Sequence, residues 1–240
     1  MHERPDDALN ELARACRILE LEGHGDFTLG HAALRDPAGH GIWMKRNAFG
    51  LGEIMSADDF VLVSWSGEKL AGEGGRHSEW PIHTEIMRAR ADVHVTFHTH
   101  PTHACVFSGA RTALVPYTLA SDYFTHVPRH DAEVALIRLV AEGEDLARAL
   151  GASKAMFLAN HGVVFCGATV AEATCVGVFL EQACRHHLLG AAAGVETLEL
   201  SRAIRDKRHG EIMAPSHIEQ TFAFLGRKLM RVAGAGAVYR

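Results

Sequence analysis

At 240 residues the chain can bury one large core, and with no Ser/Gly-rich linker or break in composition it is expected to form one domain over residues 1–240. With 48% hydrophobic residues, 22% charged residues and a formal net charge of −5, the composition is globular and offers no basic stripe to grip nucleic acid. Residues 1–10 are polar, without an apolar signal core, and no apolar run reaches membrane-span length, so a cytoplasmic protein with no membrane or nucleic-acid partner is expected.

Leu9, Leu12, Ala13, Cys16 and Leu19 recur at helical spacing and predict an amphipathic helix over residues 5–22, ending before Gly23 and Gly25. Residues 28–35, 41–46 and 60–65 have strand character, and the turn signals Asp36-Pro37-Ala38-Gly39 and Ser66-Gly67 separate them, as in an antiparallel meander. Ser78 is a candidate N-cap, Pro81 falls in the first turn, and Ile82, Ile86 and Ala89 or Arg90 continue a helix that leads to a strand starting at His94. Residues 131–150 read as a second helix, and 154–159 and 163–165 as strands flanking a turn at His161. Residues 169–189 read as a long helix carrying Glu181, and 216 to about 232 as the last helix; the small-residue tail 233–240 is expected to be mobile. Without a regular βαβ rhythm, this mixture predicts a mostly antiparallel sheet sandwiched by helices.

The five cysteines (Cys16, Cys105, Cys166, Cys175 and Cys184) form no CxxC pair and read as reduced, buried thiols. Chemistry is concentrated in the histidines. In His94-Val95-Thr96-Phe97-His98-Thr99-His100-Pro101, residues two apart on a strand share a face, so His98 and His100 can grip one ion while Val95 and Phe97 pack behind them. A third imidazole from a distant turn, Asn160-His161-Gly162, would complete a site with open coordination positions, as catalytic divalent metals require. Glu79, in Gly74-Gly75-Arg76-His77-Ser78-Glu79-Trp80-Pro81, opens the helix leading into the metal strand. It is a candidate general acid or base, or else a carboxylate that complements the helix N-terminus.

This ordered set, a Ser-Glu-Trp helix start, a His-x-His and a later Asn-His-Gly turn, resembles the class II aldolase/adducin family. The resemblance covers nearly the whole chain, including Gly30-His31-Ala32-Ala33-Leu34-Arg35. It implies a three-layer α/β/α fold with a central, largely antiparallel sheet, and one divalent metal per chain (zinc, manganese, iron or cobalt) held by His98, His100 and His161. It also implies Glu79 as catalytic acid/base and a homotetramer with sites at subunit boundaries.

The departures narrow the substrate. Where aldolases and epimerases of the family carry Gly-Asn-x-Ser, Thr-Gly and Ser-Ser donors for a phosphate, this chain has Gly30-His31-Ala32-Ala33, Met55-Ser56-Ala57-Asp58 and His77-Ser78. Only Ser78 remains, and a sugar phosphate fits poorly. His31, Lys45-Arg46, Arg76 and His77 stand in place of the lost donors, and the guanidinium fork of Arg76 suits a carboxylate. All but His77 also have a plainer reading: Arg76 on the surface of a Gly-rich turn, His31 as a hydrogen-bonded structural residue, Lys45-Arg46 as an exposed hairpin end. His103 is a candidate substrate contact, and His94 reads as support for the metal ligands or as packing. Tyr117, Asp122 and Tyr123 are candidates to line the pocket, and Tyr239 to reach a neighbouring subunit.

With these features the chain resembles the family's metal-dependent decarboxylases, which act on hydroxylated aromatic or heteroaromatic carboxylates such as dihydroxyphthalate. The alternatives are an aldolase for a non-phosphorylated hydroxy-keto acid and a non-catalytic adducin-like interaction module. Three converging imidazoles argue against the last.

Overall fold

The structure is a computed structural model and describes residues 4–131 and 136–234. The first amphipathic stripe forms α1 (Asp6–Leu19), with Leu9, Leu12, Ala13, Cys16 and Leu19 buried. It runs on past the expected end into a π-helical turn (Glu20–His24), where Gly23 takes a left-handed φ of 89° that glycine tolerates and that turns His24 into the core.

The predicted meander is β1 (His31–Arg35), β2 (Gly41–Lys45) and β3 (Phe60–Ser64), each antiparallel to the next. Residues 28–30 stay irregular, and a short, largely exposed edge strand, β4 (Lys69–Ala71), follows without a readable hydrophobic pattern. Then come α2 (Trp80–Ala89), β5 (Val95–Thr99), the unforeseen α3 (Thr102–Ser108) and a short β6 (Arg129–His130). Of the helix expected over 131–150, the described residues form α4 (Val140–Leu150); residues 136–139 are irregular, and 132–135 lie outside the described residues. β7 (Ala155–Leu158), β8 (Gly162–Gly167) and α5 (Val170–Ala192) match the expected order. A second unforeseen helix, α6 (Arg202–Ile212), buries only Ile212 and so shows no apolar stripe, and α7 (Pro215–Gly234) ends the described chain. Residues 235–240 of the tail, Tyr239 included, lie outside the described residues.

The strands form one eight-stranded sheet in the order β4-β3-β2-β1-β5-β8-β7-β6, antiparallel except for the β6–β7 pair. Strand alternation divides its apolar side chains between two cores. Ala32, Leu34, Trp43, Leu62, Val95, Phe97, Val163 and Phe165 pack with α1, α3, α5 and α7, whereas Ala33, Ile42, Met44, Val61, Val63, Met156, Val164 and Cys166 pack with α2 and α4. The result is the expected three-layer α/β/α architecture. Phe97 and Phe165 stack across β5 and β8 with centroids 5.2 Å apart, an arrangement that adds about 0.5–1.5 kcal/mol beyond burial alone.

Candidate active site

Val95 and Phe97 belong to the core on one face of β5, so alternation turns His98 to the opposite face, towards α2. Register then sets His98 beside His31 of β1 and Val164 of β8. The β7–β8 hairpin brings His161 to the same end of the sheet. There Asn160 takes a φ of 54°, and the His161 N–H donates to the Leu158 carbonyl at 3.0 Å. Gly162 is required because a Cβ would meet His100 Cδ2 at 2.5 Å and the Thr99 carbonyl oxygen at 2.7 Å. Those two contacts account for the glycine of Asn160-His161-Gly162.

Ser78, expected as the cap of α2, is exposed, and Glu79 takes the cap position without a side-chain bond to the helix. Its Oε1 instead accepts from the Ile137 N–H at 3.0 Å, while Oε2 lies 3.5 Å from His31 Nε2 and 4.0 Å from His98 Nε2. The buried carboxylate therefore faces the imidazoles. Burial raises its pKa above the ordinary value, and the Ile137 N–H and nearby Arg138 pull it partly back.

Hydrogen bonding decides what the rings can do. His98 Nδ1 lies 3.0 Å from the Val163 carbonyl, which only accepts, so the proton of the neutral ring is on Nδ1 and Nε2 carries a lone pair. His100 Nδ1 donates to Asp26 Oδ2 at 3.0 Å, which leaves its Nε2 bare in the same way. The two Nε2 atoms are only 3.0 Å apart. Facing lone pairs at that distance repel unless a cation or an added proton lies between them. The added proton is disfavoured, because burial pushes His98 well below the ordinary histidine value and also lowers His100 and His161. Ligand nitrogens of His98, His100 and His161 lie within 4.8 Å of one another, and three neutral imidazoles suit a divalent ion. His31, Glu79 and His98 form a second such group, which shares His98.

Several residues of this region were not singled out in the sequence. Asp26, in an irregular loop, orients His100; His83 donates to or accepts from His31 Nδ1 at 2.7 Å and Thr96 Oγ1 at 2.6 Å. For His83 a signal existed: it follows Glu79 by four residues, one helical turn, and so shares its face.

A groove of about 410 Å³ is lined by Thr28, Leu29, Asn47, Ala48, Arg76, His77 and Ser78. His77 joins it to the cluster, its ring centroid 4.7 Å from that of His31. Burial, with Lys45 close by, pushes His77 down to about 3. Among the described residues, half-buried Arg76 bonds only the His77 carbonyl, at 3.2 Å, and lies over the Trp80 ring.

Other candidates fall elsewhere. Lys45 is fully buried rather than at an exposed hairpin end; its Nζ donates to the Arg46 and Phe49 carbonyls, and burial lowers it to about 8. Arg46 pairs with Asp59 at 2.6 Å. His94 is exposed rather than packed. His103 Nδ1 donates to Glu181 Oε1 at 2.6 Å, and the same carboxylate accepts the backbone N–H groups of His103 and Ala104 at the start of α3. Tyr117 bonds the Val195 carbonyl and Tyr123 stacks on Phe179, so neither lines the groove; Asp122, paired with Arg208, lines a different cavity with His126.

Comparison with known proteins identifies relatives over most of the chain. A chain from Schizosaccharomyces pombe, "Meiotically up-regulated gene 14 protein", is 27% identical over 199 residues, 79% of this chain and 75% of that one. The 3,4-dihydroxyphthalate decarboxylase of Arthrobacter keyseri is 29% identical over 178 residues, 69% of this chain and 71% of its own. Among solved structures, L-fuculose 1-phosphate aldolase from Glaciozyma antarctica superposes with a TM-score of 0.82 at 27% identity, covering 95% of this chain and 90% of that one. The model of the class II aldolase and adducin N-terminal domain matches residues 10–188, and the chain belongs to that family.

Proposed function

We propose that this protein is a metal-dependent carbon–carbon lyase that decarboxylates a hydroxylated aromatic or heteroaromatic carboxylate of the dihydroxyphthalate kind. The observation that carries the reading is the convergence of the bare Nε2 atoms of His98 and His100, 3.0 Å apart, with His161 alongside and Glu79 buried beside them. His98, His100 and His161 would hold one zinc, manganese, iron or cobalt ion. When bound there, the ion supplies positive charge to a phenolic or keto oxygen and the carboxylate next to it.

The chain's own groups do the rest. Arg76, with His77 and Ser78 along the groove, would orient a carboxylate, and His31 would hydrogen-bond the chelating end. The bond from ring carbon to carboxyl carbon breaks, its electron pair passes into the ring towards the charged oxygen, and carbon dioxide leaves. Glu79 then gives its proton to that carbon and is reprotonated from water, a role that its raised pKa suits. Phe27 and Leu29, 90% and 54% exposed beside the groove, would be covered by a neighbouring copy in a homotetramer. Among the described residues no helix is long and apolar enough to cross a membrane.

An aldolase acting on a non-phosphorylated hydroxy-keto acid would use the same triad and the same acid, and the likeness to an aldolase structure favours it as the second reading. The test is to measure carbon dioxide release by metal-loaded protein from dihydroxyphthalate-type and hydroxypyridine-dicarboxylate compounds, beside aldol cleavage of hydroxy-keto acids and of fuculose phosphate. Decarboxylation is expected, with sugar phosphates ignored and with Arg76→Ala acting chiefly through KM. Efficient cleavage of a sugar phosphate without decarboxylation would overturn the reading.

A further inference from the structure

Behind the metal-binding face lies a buried chain of three side chains on three different elements. His31 of β1, His83 of α2 and Thr96 of β5 are at most 1% exposed. His31 Nδ1 lies 2.7 Å from His83 Nε2, and His83 Nδ1 lies 2.6 Å from Thr96 Oγ1. At the open end, His31 Nε2 is buried with no hydrogen-bond partner among the described residues, and Glu79 Oε2 is 3.5 Å away. We propose that His83 and Thr96 are positioning residues that lock His31 as a neutral donor, with its Nε2–H aimed at the substrate. This rests on the reading of the cluster as a metal-dependent lyase site.

The two ends of the chain select the same proton arrangement. If protons ran the other way, His83 Nδ1–H would donate to Thr96 and the buried hydroxyl would keep a proton with nowhere to go, since His83 is its only side-chain partner among the described residues. If the hydroxyl donates to His83 Nδ1, then His83 Nε2–H donates to His31 Nδ1, and the remaining proton of His31 sits on Nε2. At the other end a bare His31 Nε2 would face the bare His98 Nε2 and, once Glu79 has given up its proton, the Glu79 carboxylate, three electron-rich atoms within 4.8 Å; an N–H there removes the conflict. A donor held in place by a buried chain costs no reorganisation when negative charge develops on a substrate oxygen. His83 and Thr96 touch no substrate and act only through His31.

The test uses the whole protein loaded with zinc, which is diamagnetic, and long-range nitrogen–proton NMR of its histidines. His31 and His83 are expected as Nε2–H tautomers. Thr96→Val, nearly isosteric, should mix those tautomers and lower kcat for carbon dioxide release on the order of 10-fold, with KM and zinc affinity little changed. His83→Gln can accept from Thr96 and donate to His31, so it should keep the His31 tautomer and most of the rate, whereas His83→Leu should lose both. A His31 with Nδ1 protonated, a zinc-shifted His31 Nε2, or unchanged tautomers and kcat in Thr96→Val would each overturn the proposal. Should no substrate be turned over, the lyase reading fails, and the tautomers of the zinc-loaded protein still decide the arrangement of the chain.

Discussion

Asp26 Oδ2 accepts the Nδ1–H of His100 at 3.0 Å, a bond between residues 74 positions apart that sets the ring angle and leaves Nε2 free on the side of His98. A carboxylate behind a ligating imidazole also raises its basicity. Asp26→Asn is therefore expected to weaken divalent-metal affinity by about 10–100-fold without unfolding the protein. Competition with a chelator measures it; unchanged affinity would reduce Asp26 to a surface contact.

The triad makes a sharper statement. Purified protein should carry about one divalent ion per chain, and His98→Ala, His100→Ala or His161→Ala should each remove it. Gly162→Ala should also impair loading although glycine is no ligand, because its Cβ would press on the His100 ring and the Thr99 carbonyl. Elemental analysis that found full occupancy in all three alanine variants would remove the site.

Glu79→Gln separates proton transfer from binding. The carboxamide can still accept from the Ile137 N–H but cannot cycle a proton, so turnover should fall on the order of 10²-fold or more with metal retained. Its effect on stability has a definite sign. A carboxyl whose folded pKa is raised by burial favours folding below its ordinary value of 4.5, and that contribution is lost as pH rises through the folded value. At pH 7 the metal-free Glu79→Gln protein should then be at least as stable as the parent in urea. Near-normal turnover would make Glu79 a helix-start residue only.

Acid sensitivity follows from the buried rings. His24 bonds Thr99 Oγ1 at 2.9 Å, and burial pushes it from its ordinary 6.5 to about 3; His83 is pushed to about 3 in the same way. Below about pH 6.5 the unfolded chain takes up protons that the folded chain refuses, so stability that is full above that pH declines towards pH 3. The slope is about 1.4 kcal/mol per pH unit for each such ring once the unfolded ring is protonated. Urea midpoints of metal-free protein between pH 7.5 and 4.5 should show this slope, and His24→Gln should make it shallower. A flat profile would mean that these rings are protonated in the folded state.

Local covalent geometry made much of this protein legible from its sequence. Alternation along a strand puts His98 and His100 on one side and Val95 and Phe97 on the other whatever the rest of the chain does, and helical spacing marks α1, α2 and α5 for similar reasons. Elements with little periodicity were not legible: β4 is three residues long, α3 seven, and α6 buries only Ile212. Lys45 looked like a surface cation because its type prefers water, yet its position on β2 within the sheet buries it, and two backbone carbonyls replace the solvent. Asp26, His83 and Thr96 acquired partners only when the loop after α1, the first turns of α2 and the middle of β5 met at one end of the sheet. The residues able to bind a metal were thus written locally. Which nitrogen each ring presents was decided by hydrogen bonds across long sequence separations, because a tautomer depends on the partner in space and not on the neighbour in the chain.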